Sequence, residues 1–197
     1  AFGQIQPGEL WPDTDGNHIN AHGGGILFHE GKYYWYGEIK GNTSTAEVGI
    51  SVYSSSDLGT WKNEGVALSV SMDPDSEITR GCVMERPKVL YNPKTKKFVM
   101  WFHLELKGQG YAAARTALAV SDTPVGPFVY RKSLRPNAGK WPRNFKEEWK
   151  KTIPNEDSLK WWTPEWYTAV KEGLFIRKHF EGGQMARDMT LYIDQEG

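Results

Sequence analysis

Acidic side chains recur at equivalent places in two similar stretches of this 197-residue chain. Glu85 stands in the stretch MERPKV and Asp188 stands in ARDMT, with Arg86 and Arg187 as their respective neighbours. Two carboxylates that converge on one cavity can divide the work of glycoside hydrolysis between a proton donor and a base or nucleophile. Glu85 and Asp188 are therefore the candidate catalytic residues, and Arg86 and Arg187 are candidate substrate-binding residues. The alternative is that each Arg–acid pair is structural and caps the entrance to a strand.

A third acid, Glu38, ends an aromatic stretch that begins at His22 with the letters HGGG. Such a loop supplies oxyanion donors in α/β-hydrolases, but that fold also needs a G-x-S-x-G elbow, which the chain does not contain. His18 and His22 have the spacing of a helical zinc pair, but three glycines disfavour a helix. We predict no metal site from this pair. His22 and Glu38 are expected to bind substrate in a cavity wall, and the alternative for His22 is a lone ligand of a divalent ion. The glycines are expected to let the backbone approach a central axis closely, where a side chain would block the channel.

The elements that position these residues are short strands, arranged in two similar units. Strand-like runs occur at 25–29, 32–37, 48–54, 87–91, 97–102 and 114–120. The order strand, turn, strand, strand, then S-D-x-x-G-x-aromatic or a near equivalent, then strand recurs at a period of roughly 65 residues, which is typical of repeat architectures. Four short strands per unit indicate a β-propeller blade, so we predict an all-β fold.

The predicted organisation is a propeller fragment. We expect blade one at about 19–80, blade two at about 81–134, a partly helical insertion at about 135–183 and the start of blade three at about 184–197. The third unit is expected to open with a strand at 187–197 that matches the strand and turn at 88–96. Since a propeller typically has 4–8 blades, we expect the chain to be the N-terminal part of a longer domain.

Aromatic residues are frequent, with 9 Trp, 9 Tyr and 8 Phe. Trp35 lies on a predicted inner strand, and Trp141 lies in the insertion beside the helix-like stretches FKEEWKKT and PEWYTAVKEGLFIRK. Since aromatic rings stack on sugar faces, both tryptophans are candidate substrate-binding residues. The alternative for the insertion is a solubilising surface segment.

Composition excludes several classes of protein. The 24 basic and 24 acidic residues leave a net charge of zero, so the footprint of a nucleic-acid binder is missing. The single cysteine, Cys82, excludes an intrachain disulfide. No apolar run approaches the roughly 18 residues that span a bilayer. Because the chain starts at Ala1, we expect a signal segment to have been removed and the protein to be secreted or periplasmic.

Three stretches resemble glycoside hydrolase family 43, most closely its exo-β-1,3-galactanase branch. They are DTDGNHINAHGGGILFHEGKYYWYGE, VMERPKVLYNPKTKKFVMWFH and GGQMARDMTLYIDQEG. The resemblance implies a five-bladed β-propeller that hydrolyses a plant-type oligo- or polysaccharide with inversion at the anomeric carbon. It implies no required cofactor and allows a structural calcium ion on the propeller axis.

The resemblance also implies roles for individual residues. The family's catalytic base, an Asp-Pro aspartate, would fall at Gly23-Gly24, where this chain has no carboxylate. Glu38 and Glu85 would orient the water or bind the sugar. Asp188 would hold the general acid in position and tune its pKa. The general acid itself, a glutamate of the following blade, would lie beyond Gly197, which predicts an inactive fragment.

The sequence thus predicts a hydrolase of β-galactan or arabinogalactan side chains. The alternatives are a relative that acts on arabinofuranosides or xylosides, a non-catalytic carbohydrate-binding propeller and a scaffold propeller. The sequence leaves the oligomeric state open.

Overall fold

The computed structural model describes residues 7–194. Within them the dominant elements are two four-stranded antiparallel sheets in which strand order follows chain order. The first sheet contains β1 (His22–His29), β2 (Lys32–Glu38), β3 (Gly49–Ser55) and β4 (Lys62–Ser69). The second contains β5 (Val83–Asn92), β6 (Lys97–Glu105), β7 (Arg115–Ser121) and β8 (Val129–Leu134). The prediction of a largely β fold with four strands per unit is confirmed.

Turn chemistry explains why the strands pair as they do. Glu30 and Gly31 connect β1 to β2 with φ values of 49° and 80°, the left-handed conformation that a tight hairpin turn requires at both central residues. The register that follows places Ile26 opposite Trp35 and Phe28 opposite Tyr33. Aromatic and branched side chains thus face one another across the hairpin, where they stabilise the sheet.

An apolar core joins the two sheets. Alternate residues of β6, namely Met100, Phe102 and Leu104, are fully buried in the same cluster as Tyr36 and Val52 of the first sheet. Because successive strand residues point to opposite faces, the residues between them in β6 face away from the first sheet.

The chain divides into two compact units. The first comprises the chain up to Leu134 together with the segment from Ala186 onwards, and the second is Arg135–Met185. The second unit has its own small core, which includes Trp166, Ala169 and Leu174. Its helices are α1 (Pro164–Lys171) and α2 (Leu174–Lys178), and 3₁₀ turns occur at Glu147–Lys150 and Glu156–Ser158.

Helix formation in the second unit is weaker than the composition predicted. The stretch FKEEWKKT forms one 3₁₀ turn and no α-helix. Gly173 adopts φ 93° between α1 and α2 and divides the second predicted helix in two. Thr163 caps α1 by accepting a hydrogen bond from the Trp166 N–H, with Pro164 at the first helical position.

The predicted third-unit strand is wrong for its described part. Residues 187–194 form no strand, and 195–197 lie outside the described residues. A strand needs a hydrogen-bonded neighbour, and no described strand pairs with this segment. It is attached instead through the Ala186 N–H, which donates to the Ala114 carbonyl, and through Met189, whose sulfur accepts from Thr116.

Candidate active site

A row of charged side chains lies at one end of the two sheets, where β1 and β5 begin and β2 ends. Its members alternate between a base and an acid, and each contacts the next: His22, Glu38, Lys40, Glu85, Arg86 and Asp188. We call this set the charged row. It brings together five of the residues that the sequence singled out and adds Lys40, which it did not.

The first half of the charged row centres on Glu38. His22 Nδ1 lies 3.3 Å from Glu38 Oε2, and Lys40 Nζ donates to Glu38 Oε1 at 2.7 Å. The Glu38 side chain is only 3% exposed, whereas that of His22 is 63% exposed. A buried carboxylate is costly unless it is paired and hydrogen-bonded, and these two neighbours supply the partners of Glu38.

The second half of the charged row centres on Arg86. Its Nη1 donates to Glu85 Oε2 at 2.7 Å, and its Nε pairs with Asp188 Oδ1. Lys40 Nζ lies 3.6 Å from the other oxygen of Glu85 and connects the two halves. Arg86 therefore holds two carboxylates that are about a hundred residues apart in the chain, Glu85 at 20% and Asp188 at 80% side-chain exposure.

A β-bulge sets the direction of Arg86. The register of β5 against β6 shifts between Glu85 and Lys88, and Arg86 adopts φ 54° there. A left-handed conformation is unfavourable for arginine and persists where surrounding contacts enforce it. Glu85 itself pairs with His103 inside β5, so the strand predicted at 87–91 begins four residues earlier, at Val83.

Lys88 stabilises the backbone of the bulge. Its Nζ donates to the carbonyls of Gly24, Arg86 and Pro87 at 3.2, 3.4 and 3.3 Å. Burial, followed by the nearby Arg86 charge, lowers the pKa of Lys88, while Asp188 partly counters that shift. One lysine thus ties β1 to the strand that carries Glu85.

The glycines after His22 allow close approach between strands. A Cβ on Gly24 would lie 2.0 Å from the Tyr36 carbonyl oxygen, and one on Gly25 would lie 2.7 Å from the Lys88 side chain. The close approach seen here is to β2 and β5, and the predicted approach to the propeller axis stays a prediction. Gly37 is similarly required, because its Cβ would lie 2.1 Å from the backbone of Ala21.

The two arginines have different environments. Arg86 contacts both acids, whereas the Arg187 guanidinium stacks over the Tyr111 ring at 3.7 Å. The simple pairing of each acid with its neighbouring arginine therefore holds for Glu85 and not for Asp188.

The two candidate tryptophans each lie in an aromatic cluster. Trp35 packs between Trp11 and Trp61, with ring centroids 5.5 and 5.3 Å apart, in a separate apolar cluster of the first sheet. Trp141 belongs to the second unit, where it stacks on Phe145 and Phe180. Their roles in substrate binding stay predictions.

Sequence reasoning missed four polar residues. Lys40 belongs to the charged row, and the other three lie near it: Lys88, His103 and Glu105. His103 is fully buried opposite Glu85, and its Nε2 lies 3.0 Å from Glu105 Oε1. The available signal was the alternation HLE at the end of β6, which places His103 and Glu105 on one face of the strand.

The described residues include no group of three or more His, Cys, Asp or Glu side chains arranged to hold a metal ion. Glu38 and Glu85 are already paired with cations, so these carboxylates do not fit a Ca²⁺ site, and calcium on the axis stays a prediction. Nor does any helix between residues 7 and 194 have the length and apolar character needed to span a bilayer.

Comparisons with solved structures find close similarity. Over 98% of its length the chain is similar to a GH43 β-1,3-galactosidase with galactodeoxynojirimycin, at 55% identity and a TM-score of 0.90. It is 35% identical over 98% of its length to an exo-β-1,3-galactanase from Clostridium thermocellum, with a TM-score of 0.70. It is 41% identical over 68% of its length to an exo-β-1,3-galactanase from Phanerochaete chrysosporium with galactose, with a TM-score of 0.62.

The chain spans 56% of the length of that β-1,3-galactosidase structure, and 33% and 30% of the two galactanase structures. Neither a scan of protein-family models nor a search of curated proteins gave a match.

Proposed function

Because the chain belongs to glycoside hydrolase family 43, we propose that the whole protein hydrolyses the β-1,3-galactosidic bonds of galactan or arabinogalactan side chains. The similar solved structures are β-1,3-galactosidases and exo-β-1,3-galactanases. In this proposal the enzyme removes terminal galactose with inversion, by an acid–base mechanism in which water attacks the anomeric carbon.

The observation that carries the proposal is the convergence of three carboxylates. Glu38 ends β2, Glu85 lies in β5 and Asp188 follows the second unit in sequence, and all three belong to the charged row. Carboxylates gathered in this way are the groups that glycoside hydrolysis needs. The alternative is an isolated Arg–acid pair with a structural role. Such a pair would involve neither a third acid nor a lysine that contacts two acids.

The roles follow from burial. Glu38 and Glu85 are held by cations and accept hydrogen bonds from sugar hydroxyls or from the attacking water. Asp188 is mostly exposed, so it can approach a proton donor contributed by another part of the propeller and influence its acidity. His22, Arg86 and Arg187 donate hydrogen bonds to the substrate. Trp35 and Trp141 contact sugar faces.

The wider proposal is a five-bladed propeller of the secreted or periplasmic type. An inverting enzyme keeps its acid and base roughly 6.5–9.5 Å apart so that a water molecule fits between them. We propose that residues of this chain form one wall of that space, with no required cofactor.

Glu85→Gln and Asp188→Asn test the proposal in the full-length protein. Each is expected to lower kcat on β-1,3-galactan by about 10²-fold, because Glu85 orients the sugar or the attacking water and Asp188 tunes the proton donor, and acid–base catalysis contributes about 10²–10⁴-fold. Asp122→Asn is the matched control, because Asp122 pairs with Lys97 on the surface at the other end of the second sheet. Wild-type rates in both site variants on galactans, arabinans and xylans would show that the site is assigned wrongly.

A non-catalytic carbohydrate-binding propeller is the second candidate. It is favoured by the lack of a carboxylate at Gly23-Gly24, the place of the family's usual base; at Gly24 a Cβ would lie 2.0 Å from the Tyr36 carbonyl oxygen. This candidate predicts binding of galactan oligosaccharides in calorimetry without release of reducing sugar. Release of galactose by the wild-type protein would exclude it.

A further inference from the structure

Lys40 lies between carboxylates that come from different sheets. Its Nζ is 2.7 Å from Glu38 Oε1, which ends β2, and 3.6 Å from Glu85 Oε1, which lies in β5. Among the ion pairs of the described residues, no other cation bridges these two acids.

Each carboxylate oxygen of Glu38 and Glu85 faces one basic side chain. Lys40 takes one oxygen of each, while His22 faces the second oxygen of Glu38 and Arg86 binds the second oxygen of Glu85. Without Lys40, the only remaining ion-pair partner of Glu38 among the described residues would be the exposed His22, at 3.3 Å. The Glu38 side chain is almost fully buried. Two neighbouring carboxylates with no cation between them repel each other, so the side chains would tend to move apart.

The position of Lys40 is set by Asn20. The Asn20 side chain donates to the Lys40 carbonyl and accepts from the Lys40 N–H, both at 2.8 Å. Asn20 is held in turn by Ser51, whose hydroxyl donates to its carbonyl at 2.7 Å, and by the Tyr53 hydroxyl, which accepts from its N–H at 3.1 Å. Lys40 is therefore fixed by β3 although it lies outside any strand.

We propose that Lys40 is a positioning residue that holds Glu38 and Glu85 in fixed directions as hydrogen-bond acceptors for the hydroxyls of the terminal galactose. The inference rests on the proposed function and deepens it. A hydrogen bond from a hydroxyl weakens steeply when its angle is poor, so the direction of each carboxylate matters. Lys40 contacts both acids across the junction of the two sheets.

Galactose binding by the full-length protein tests this role. Lys40→Met is expected to weaken galactose affinity in calorimetry by about tenfold, the loss typical of an interaction with a charged group. KM on β-1,3-galactobiose should rise more than kcat falls. Lys40→Arg, which keeps the charge, should recover most of the affinity. Lys62→Met is the matched control, because Lys62 pairs with Glu64 in the same sheet at 2.9 Å and is exposed; it should leave affinity unchanged.

A double-mutant cycle separates positioning from general stability. If Lys40 acts through Glu85, then Lys40→Met in the Glu85→Gln background should change affinity much less than it does in the wild type. Equal effects in both backgrounds, or wild-type affinity in Lys40→Met, would overturn the proposal. Should Lys40→Met fail to fold, Lys40→Gln provides the same comparison, and failure of Lys40→Arg to recover affinity also counts against the proposal.

Failure of the proposed role of Lys40 can be distinguished from failure of the proposed function. A wild-type protein that neither binds galactose nor cleaves galactan refutes the proposed function itself. A protein that loses turnover in Glu85→Gln but keeps full affinity in Lys40→Met retains the function and refutes only the role of Lys40.

Discussion

Two tyrosines, Tyr36 and Tyr130, show how burial and hydrogen bonding change the pKa of a single residue in this protein. Tyr36 lies in the core between the sheets, and its hydroxyl donates to the Pro124 carbonyl at 2.6 Å. Burial, followed by nearby Tyr34, raises the pKa of Tyr36 well above its ordinary value of 10.0. Tyr130 shows the same direction, since burial and a hydrogen bond to Glu77 raise its pKa.

Tyr36→Phe is expected to change the response to alkaline pH. In the wild type the unfolded chain releases the tyrosine proton near pH 10 while the folded chain retains it, so stability falls as pH rises above about 10. The variant lacks this group, so its unfolding free energy should fall less steeply there, after a loss of about 1 kcal/mol at neutral pH. Urea unfolding at several pH values measures both the loss of unfolding free energy at neutral pH and its slope above about pH 10. Tyr130→Phe should act in the same direction, and parallel slopes in wild type and both variants would contradict the prediction.

At the scale of elements, the junction of β1, β2 and β5 depends on glycine. Gly24 faces the Tyr36 carbonyl of β2, and Gly25 faces Lys88 and the Pro87 carbonyl of β5. Because backbone atoms form part of both contacts, rotation of a side chain cannot make room. This tight packing brings His22 and Arg86 to the same end of the sheets.

Gly24→Ala should therefore force β1 away from β2. We expect a loss of about 1–3 kcal/mol in unfolding free energy, the usual effect of overpacking, together with weaker galactose binding because His22 moves from Glu38. Urea denaturation and calorimetry of the full-length protein measure the two effects. Gly41→Ala is the control, since nothing lies within 4 Å of a Cβ there. A Gly24→Ala protein as stable as this control would show that β1 can shift freely.

Strands were predictable from sequence to within a few residues, and the helices were less so. Apolar alternation and the Glu30-Gly31 turn are local signals, and they located β1 and β2. The bulge at Arg86 left no local signal, because it arises from contacts between β5, β6 and Lys88. The predicted strand after Arg187 had a suitable composition but has no neighbouring strand among the described residues.

At the scale of the whole molecule, each unit has a core of its own. The second unit contains an ion pair between Arg177 and Glu156, 2.7 Å apart and with both side chains under 10% exposed. Arg177 also donates to the carbonyls of Trp149 and Glu172. Arg177, which lies in α2, thus contacts both 3₁₀ turns and the end of α1.

Arg177→Met should destabilise the second unit selectively. Removing one partner of a buried pair costs about 3–5 kcal/mol because the other charge stays buried. Hydrogen exchange should speed up within Arg135–Met185 and remain slow in β2 and β6. Lys178→Met is the control, since its pair with Asp157 is exposed and such pairs contribute about 0–1 kcal/mol. If hydrogen exchange in Arg177→Met were faster by the same factor in both units, the prediction that the second unit is destabilised selectively would be contradicted.

Part of the site geometry was predictable from sequence. The equivalent places of Glu85 and Asp188 in successive stretches predicted that they lie close together, and both contact Arg86, although no described strand follows Asp188. Their catalytic roles stay predictions. Lys40 was not predictable, because its place depends on Asn20, Ser51 and Tyr53 and not on any repeated motif. Trp141 was expected in the insertion and lies in the second unit, and its role in substrate binding stays a prediction.

The alternation of sign along the charged row affects how solutes meet the protein. Neighbouring positive and negative groups offset one another, so the row generates little potential more than a few ångströms away. An uncharged sugar then experiences strong directional partners only on arrival, and an acidic polysaccharide gains no attraction while it diffuses towards the surface. A row ordered in this way therefore gives an acidic solute no long-range advantage over a neutral one.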